Sequence, residues 1–334
     1  MMSENQWHPG KLLETSGAYW KTCALHAAVK LDIFTAIGSK HMDAQSIAVA
    51  LETDLCSTER LLNALTAMKL LNKMEDSFSN TEASEAFLSK NSSGYIGFMI
   101  MHHHFLMESW FRLDEAIRTG KQVRPRESFD DPAQREAFLM GMYNNAMLMA
   151  PRLVKDVDLS GRKHLLDLGG GPGTYAIHFC MENPNIKATV YDLPSTRPFA
   201  EKTIGQFEMN ERIGFQEGDY VRQDITGQYD VVWMSHILHG EGPDVCREMI
   251  LKAVSRLEPG GIIIIHDFFL DDSMDGPLFP ALFSLNMLLG TPSGQSYSQA
   301  RIIDLLQEAG VKNIHRLPFR GPTESGIITG NKDS

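Results

Sequence analysis

The chain has 334 residues, 43% of them hydrophobic and 22% charged, the composition of a folded protein with room for two cores rather than of a disordered one. A formal net charge of -11 repels nucleic-acid phosphates and anionic membrane surfaces, so the expected partner is a small molecule. Its four cysteines, Cys23, Cys56, Cys180 and Cys246, lack zinc-ligand or disulfide spacing, the N-terminus carries no leader pattern, and no apolar run approaches the roughly eighteen residues of a membrane span; a soluble, cytoplasmic protein without a bound metal is expected.

Residues 12–37 place Trp20, Ala24, Ala27, Ala28, Leu31 and Phe34 at helical spacing on one side. Asp43 is suited to cap a helix through Leu51, and Ser57 to open a second one through Leu61, Leu62, Leu65, Met68 and Leu71. A polar turn with a β-like return over 73–80 follows, then a helix over 81–87. Two short helices and a hairpin form a winged-helix pattern. Only Arg60 and Lys69 on the second helix could meet phosphates, which favours a dimerisation element over a DNA reader.

Residues 94–119 predict one long amphipathic helix with His102, His103 and His104 in its middle. Three adjacent histidines on a helix point in three directions and cannot share one metal ion. A polar connection with Pro125 and Pro132 spans 121–132, and a helix resumes over 136–148. Several of the 18 methionines cluster at Met99, Met101 and between Met140 and Met149, where they suit adaptable core or the wall of a pocket for a flat apolar molecule.

Residues 165–176 read LLDLGGGPGTYA, a buried strand containing Asp167, a glycine turn and a helix start. Gly169, Gly171 and Gly173 miss the strict G-x-G-x-x-G spacing, which disfavours a pyrophosphate. A second strand ends at Asp192, where a carboxylate would meet ribose hydroxyls. A third lies over 213–220, a fourth over 229–235 and a fifth over 262–265, and these alternate with helices such as 245–257. That alternation predicts a parallel sheet with ligands at its carboxyl ends. Two further strands are expected over 311–318 and 325–329, with a helix over 298–309 before them.

In this order LLDLGGGPGTYA, VYDLP, GDY, SHILH and LEPGGIIIIHDF resemble the S-adenosylmethionine-dependent O-methyltransferases of small molecules, of the caffeate, acetylserotonin and bacterial polyketide or pigment type. The resemblance covers nearly the whole chain. It implies an α/β protein: a Rossmann-like seven-stranded methyltransferase domain with an N-terminal, mostly α winged-helix dimerisation domain. The corresponding segments are 1–92 for dimerisation, 93–150 for a helical connection that contributes to the substrate pocket, and 151–334 for cofactor binding and catalysis; a homodimer is expected.

The resemblance places S-adenosylmethionine against Asp167, Gly169, Gly171, Gly173, Asp192, Leu193, Gly218, Asp219, Tyr220, Ser235 and His236. The three glycines would pass the methionine moiety, Asp192 would hold the ribose, and Asp219 and Tyr220 would flank the adenine. An activated sulfonium leaves the protein mainly the removal of a hydroxyl proton, which a histidine of SHILHG can do; of His236 and His239, the resemblance implies His239 as the general base. Asp267 is its expected support, while His266, one residue earlier, should face the other side of the sheet. Substrate contacts are expected from Phe138, Met142, Asn145, Phe283, Asn286, Met287 and Ser296. Ser296 falls where relatives carry a second acid, and Gly240 and Glu241 replace the common Asp and Trp. Those departures leave carbon methylation, or use of the bound sulfonium without transfer, as alternatives to O-methylation. A cofactor-responsive regulator built on the winged-helix module is a third.

Overall fold

The computed structural model describes residues 7–124 and 131–333; Pro125 and residues 1–6 lie outside them. Two compact units, Met1–Phe105 and Leu106–Ser334, make up the chain. In the first, short polar side chains set the helix starts. The carboxylates of Asp43 and Asp54 accept from the amides of Ser46 and Ser57 at 2.7 and 2.8 Å, and the Thr81 hydroxyl accepts from the Ser84 amide at 3.2 Å.

The elements run α1 (Pro9–Gly17), α2 (Tyr19–Lys30), α3 (Ile33–Ile37), β1 (Met42–Asp43), α4 (Ala44–Ala50), α5 (Leu55–Ala67), β2 (Leu71–Met74), β3 (Ser77–Asn80), α6 (Glu82–Leu88) and α7 (Gly97–Trp110). The single periodic stretch expected over 12–37 is therefore three helices. Ala18 separates the first two, and Asp32 adopts a left-handed φ of 64°, which a short polar side chain tolerates. Of the six residues expected on one face, Ala28 and Phe34 are buried, whereas Trp20 is 70% exposed. Because Asp54 rather than Ser57 is the cap, α5 begins earlier than expected, and Leu71 opens β2 instead of closing the helix. Strands β1, β3 and β2 pair antiparallel in that order, so α4 and α5 are followed by a hairpin. Ile33, Phe34, Ile37, Ile47, Leu62, Leu65 and Phe78 fill this core.

The amphipathic run over 94–119 is broken after Trp110, and α8 (Leu113–Thr119) follows as a separate helix. Pro132, expected in the connection, is the first residue of α9 (Pro132–Leu153), where a missing amide hydrogen costs nothing. The remaining elements are β4 (His164–Leu168), α10 (Thr174–Glu182), β5 (Lys187–Asp192), α11 (Arg197–Gln206), β6 (Ile213–Glu217), β7 (Tyr229–Ser235), α12 (Pro243–Ser255), β8 (Leu257–Asp267), α13 (Leu278–Gly290), α14 (Gln299–Glu308), β9 (Val311–Arg316) and β10 (Gly326–Lys332).

They form a seven-stranded sheet of order β6-β5-β4-β7-β8-β10-β9. The five strands expected to alternate with helices, β4 to β8, are parallel; of the two further strands, β10 runs antiparallel between β8 and β9. A short return suffices for the antiparallel pair, whereas another parallel strand would need a crossover. Alternate residues supply the two faces. Leu165, Val190, Val231, Trp233 and Ile264 pack on one side, and Leu166, Leu168, Val232, Met234, Ile263 and Ile265 on the other. Burying each of these large apolar side chains stabilises the unit by about 1.5–3 kcal/mol. The chain leaves β4 toward β5 on one side and returns to β7 on the other, and this reversal opens a crevice at the carboxyl end of β4.

Candidate active site

Every strand that borders the crevice ends in a polar or glycine-rich segment. After β4, the Gly169 amide donates to the Tyr191 carbonyl at 2.8 Å and the Gly171 amide to Asp192 Oδ2 at 2.8 Å. Gly169 has φ 68°, and a Cβ there would lie 2.6 Å from Ile237 Cγ2; Gly171 has φ 55°, and its Cβ would meet nothing within 4 Å. The first glycine is required by its neighbour, while the second faces open space where a ligand can approach the backbone. Gly173 closes the turn, donating to the Gly170 carbonyl at 2.9 Å before α10 begins.

Asp167 lies beneath this turn, with Oδ2 accepting from the Ala176 amide at 3.2 Å. Burial, with some repulsion from Asp192, pushes its carboxyl up to about 7. A Cβ on Gly170 would be 2.6 Å from Asp167 Cγ, so this glycine, which sequence reasoning passed over, makes room for the carboxyl.

At the end of β5, Asp192 Oδ1 accepts from the Leu193 amide at 2.7 Å and the Thr196 hydroxyl at 3.2 Å. Burial raises its carboxyl above the ordinary range. Leu193 stands exposed beside it. The Gly218 amide donates to the Asp192 carbonyl at 2.9 Å, and a side chain at Gly218 would overlap the Tyr191 hydroxyl. Asp219 Oδ1 accepts from the Val221 amide at 2.9 Å and closes a tight turn that carries Tyr220 toward Gly169.

Two histidines follow β7. His236 has a left-handed φ of 56°, and its ring packs 4.3 Å from Phe268 and 4.4 Å from His266. In the turn 238–240, His239 Nδ1 lies 2.7 Å from Oδ1 of Asp267, the last residue of β8. The Phe268 amide donates to the same oxygen at 2.8 Å. Burial alone would raise the Asp267 carboxyl, but the facing His239 and His236 more than offset it and hold it well below the usual carboxylate range. An ionised carboxylate only accepts, so Nδ1 of His239 carries the hydrogen, and in the neutral tautomer this selects, Nε2 is the accepting nitrogen. His266 faces away, fully buried, hydrogen-bonded to Ser235 Oγ at 2.9 Å and Ser325 Oγ at 3.0 Å. The Ser235 hydroxyl is thus turned into the sheet's interior toward His266.

Phe283 of α13 meets His239 edge-on at 4.7 Å and Phe268 at 4.8 Å, and Phe279 lies 4.9 Å from Phe268, forming an apolar wall. One turn on from Phe283 along the same helix, at i+3 and i+4, come Asn286 and Met287, both buried. The Asn286 Oδ1 has no hydrogen-bond partner among the described residues. Ser296 does not support the imidazole: it is wholly buried and donates to the Pro280 carbonyl at 2.9 Å, because the loop it sits on packs under α13. On α9, Phe138, Met142 and Asn145 share one stripe, the first two half-buried and Asn145 exposed.

Sequence reasoning missed the groups that fix the His239 turn. The Tyr297 hydroxyl donates to the Glu241 carbonyl, Cys246 Sγ donates to the Leu238 carbonyl at 3.1 Å, and a Cβ on Gly294 would lie 2.6 Å from the His239 carbonyl oxygen. Their only local signal was the small-residue phrase PSGQSYS.

Residues 119–312 match the model of the O-methyltransferase domain, and residues 13–90 that of the O-methyltransferase dimerisation domain. The chain is 31% identical over 330 residues to the 3-hydroxy-5-methyl-1-naphthoate 3-O-methyltransferase of Streptomyces sahachiroi, covering 97% of this chain and 95% of the relative. It is 32% identical over 206 residues to the L-tyrosine C(3)-methyltransferase of Streptomyces lavendulae, covering 61% and 56%. Among solved structures, PigF with SAH superposes with a TM-score of 0.89 at 27% identity, covering 98% of this chain and 100% of that one.

Proposed function

The chain belongs to the S-adenosylmethionine-dependent O-methyltransferase family of small molecules, and on that premise we propose that it methylates a hydroxyl of a small aromatic or polycyclic molecule with His239 as the general base. The observation that carries the reading is the 2.7 Å contact between His239 Nδ1 and the Asp267 carboxylate, beside the phenylalanine wall.

The residues of the crevice fit the cofactor. Gly171 leaves open the volume a side chain would fill, and the Asp192 carboxylate lies at the same turn with capacity to accept from ribose hydroxyls. Gly169, Gly171, Gly173, Asp192, Leu193, Gly218, Asp219, Tyr220 and His236 would hold it, with Asp167 and Ser235 shaping the turn and strand from behind. Bound there, S-adenosylmethionine supplies a methyl group on a sulfonium, activated for in-line displacement.

What remains for the protein is to place the acceptor oxygen and take its proton. Asp267 fixes the imidazole so that Nε2 is free to accept, a contribution of roughly 10²–10⁴ in rate for a well-placed base. Phe268, Phe279 and Phe283 offer an apolar wall, with Phe268 inclined to the other two rings, against which an aromatic ring can pack edge-on or offset and water is excluded. Asn286, Met287, Phe138, Met142 and Asn145 would complete the pocket. Exposed Leu13 and Trp20 on α1 and α2, together with the dimerisation domain, support assembly as a homodimer.

Incubating the chain with labelled S-adenosylmethionine and a panel of phenols and naphthols tests the reading. Labelled O-methyl product that disappears in His239→Gln is expected; uptake of the cofactor with no labelled ether from any acceptor would overturn it. A second reading is ring C-methylation. It draws on the Ser296 hydroxyl being committed to Pro280 rather than to the imidazole, and mass spectrometry of an alkali-stable, ether-free product would favour it.

A further inference from the structure

The base and its support belong to a set of three. His236, His239 and Asp267 are the only group among the described residues whose histidine, cysteine or carboxylate donor atoms are arranged as metal ligands, each within 4.8 Å of the others. Asp267 Oδ1 lies 2.7 Å from His239 Nδ1 and 3.5 Å from His236 Nδ1. A four-coordinate ion with bonds of about 2.0–2.1 Å needs donors roughly 3.3 Å apart, so the Asp267–His239 pair must open by about half an ångström, and the two imidazole nitrogens, within 4.8 Å of each other, must settle at that spacing. His236 has the more unusual position. A left-handed backbone holds its ring against Asp267, yet neither ring nitrogen has a hydrogen-bond partner among the described residues. Methyl transfer, as derived above, gives that imidazole no proton to move.

We propose that His236, His239 and Asp267 bind one divalent transition-metal ion of the zinc and cobalt class, and that the bound ion switches methyl transfer off. Two imidazoles and one carboxylate leave a coordination position for water, the ligand set that first-row ions accept. The site differs from a catalytic one in what the ion does to His239. Metal bonded at Nδ1 displaces the hydrogen that Asp267 accepts, and that hydrogen passes through solvent to Nε2. No net proton is released and the ring stays neutral. The nitrogen that was a free acceptor becomes an N–H donor and cannot take a proton from the substrate. That consequence rests on the reading of His239 as the base; the metal site does not.

The experiment uses the full chain, freed of metal by dialysis against a chelator, with Co²⁺ as the probe. One equivalent should give the strong visible bands of four-coordinate cobalt, bleached by Zn²⁺, lost in His236→Gln and in Asp267→Asn, and retained when His103 and His104 are both changed to Gln. Phenol methylation should fall about a hundredfold on loading and return with chelator, matching the loss of a general base. Weak six-coordinate bands, a near-ultraviolet thiolate band, or a spectrum that survives His236→Gln would overturn the site. Should either variant unfold, X-ray absorption of the zinc-loaded wild type decides: two imidazoles with oxygen ligands support the proposal, and sulfur or an all-oxygen shell rejects it. A cobalt site of the expected kind without inhibition would refute the switch, and a cobalt site in a chain that methylates no phenol would support the site while removing the base assignment.

Discussion

The hydroxyl of Tyr297 donates to the main-chain carbonyl of Glu241 across 2.5 Å, joining residues 56 apart and closing the turn that carries His239. Tyr297→Phe keeps the ring and removes this bond. The expected loss is about 0.5–1.5 kcal/mol, or a few degrees in Tm for a chain of this size. Because the turn aims the imidazole, kcat should fall several-fold with KM nearly unchanged. A change in KM alone would place Tyr297 at the substrate instead.

Asp267→Asn retains the shape of the partner but removes its charge. Activity should drop at least about a hundredfold, within the range of a misdirected base. Stability carries a second sign. The Asp267 carboxyl is held well below its ordinary range in the fold, so it contributes stability that is fully present above about pH 4 and is lost as pH falls toward the folded value. Acid unfolding of the variant should therefore show a shallower dependence on pH below about 4 than the wild type.

What was legible in the sequence was what lies at the ends of strands. Gly171 and Asp192 follow or close strongly apolar runs, so alternation of strands and helices puts them at one end of the sheet, while the choice of His239 and Asp267 came from the family resemblance. The rest depended on distant partners. Nothing near Ser296 in sequence announces that its hydroxyl will meet Pro280, and nothing near Leu71 says that it pairs with Asn80 in a hairpin rather than extending α5. Asp32 broke a helix through its own left-handed backbone, and β10 entered the sheet antiparallel because the return from β9 is short. Asp54, three residues before the expected Ser57, caps α5 instead, with its carboxylate accepting from the Ser57 amide.

Asp167 should make stability fall with rising pH. Its folded-state value near 7 exceeds the unfolded one near 4, so the native state binds more protons between them, and ionisation costs stability on the order of a few kcal/mol by pH 7. Asp192, also raised by burial, acts with the same sign. In Asp167→Asn the amide oxygen can still accept from Ala176, and the slope between about pH 4 and 7 should flatten. Denaturant midpoints measured across that window check it; an unchanged slope would assign the effect to Asp192.

Gly169 and Gly171 share a positive φ but should respond differently to alanine. At Gly169 the new methyl would collide with Ile237, so Gly169→Ala should lower Tm sharply. At Gly171 it enters open space and costs about 1–2 kcal/mol of backbone strain, yet it occupies the ligand's approach. Calorimetry on Gly171→Ala should show S-adenosylmethionine affinity reduced at least about tenfold with a folded protein, a loss of about 1.4 kcal/mol.

Asn286 sets stability against function. Its buried Oδ1 has no partner among the described residues, and leaving such a group unpaired costs about 1–3 kcal/mol. A position tuned for stability alone would carry an apolar side chain of similar size. Asn286→Leu should accordingly leave Tm unchanged or raise it, since the orphaned carbonyl disappears and the volume is kept. Against a phenol that wild type methylates, kcat/KM should fall about tenfold or more, because a substrate hydroxyl or amide that would have donated to Oδ1 then enters the pocket unpaired. If Leu lowers Tm while kcat/KM holds, the amide serves the fold through its nitrogen and the pocket does not use it; opposite movement of the two quantities is the outcome that assigns Asn286 to substrate recognition.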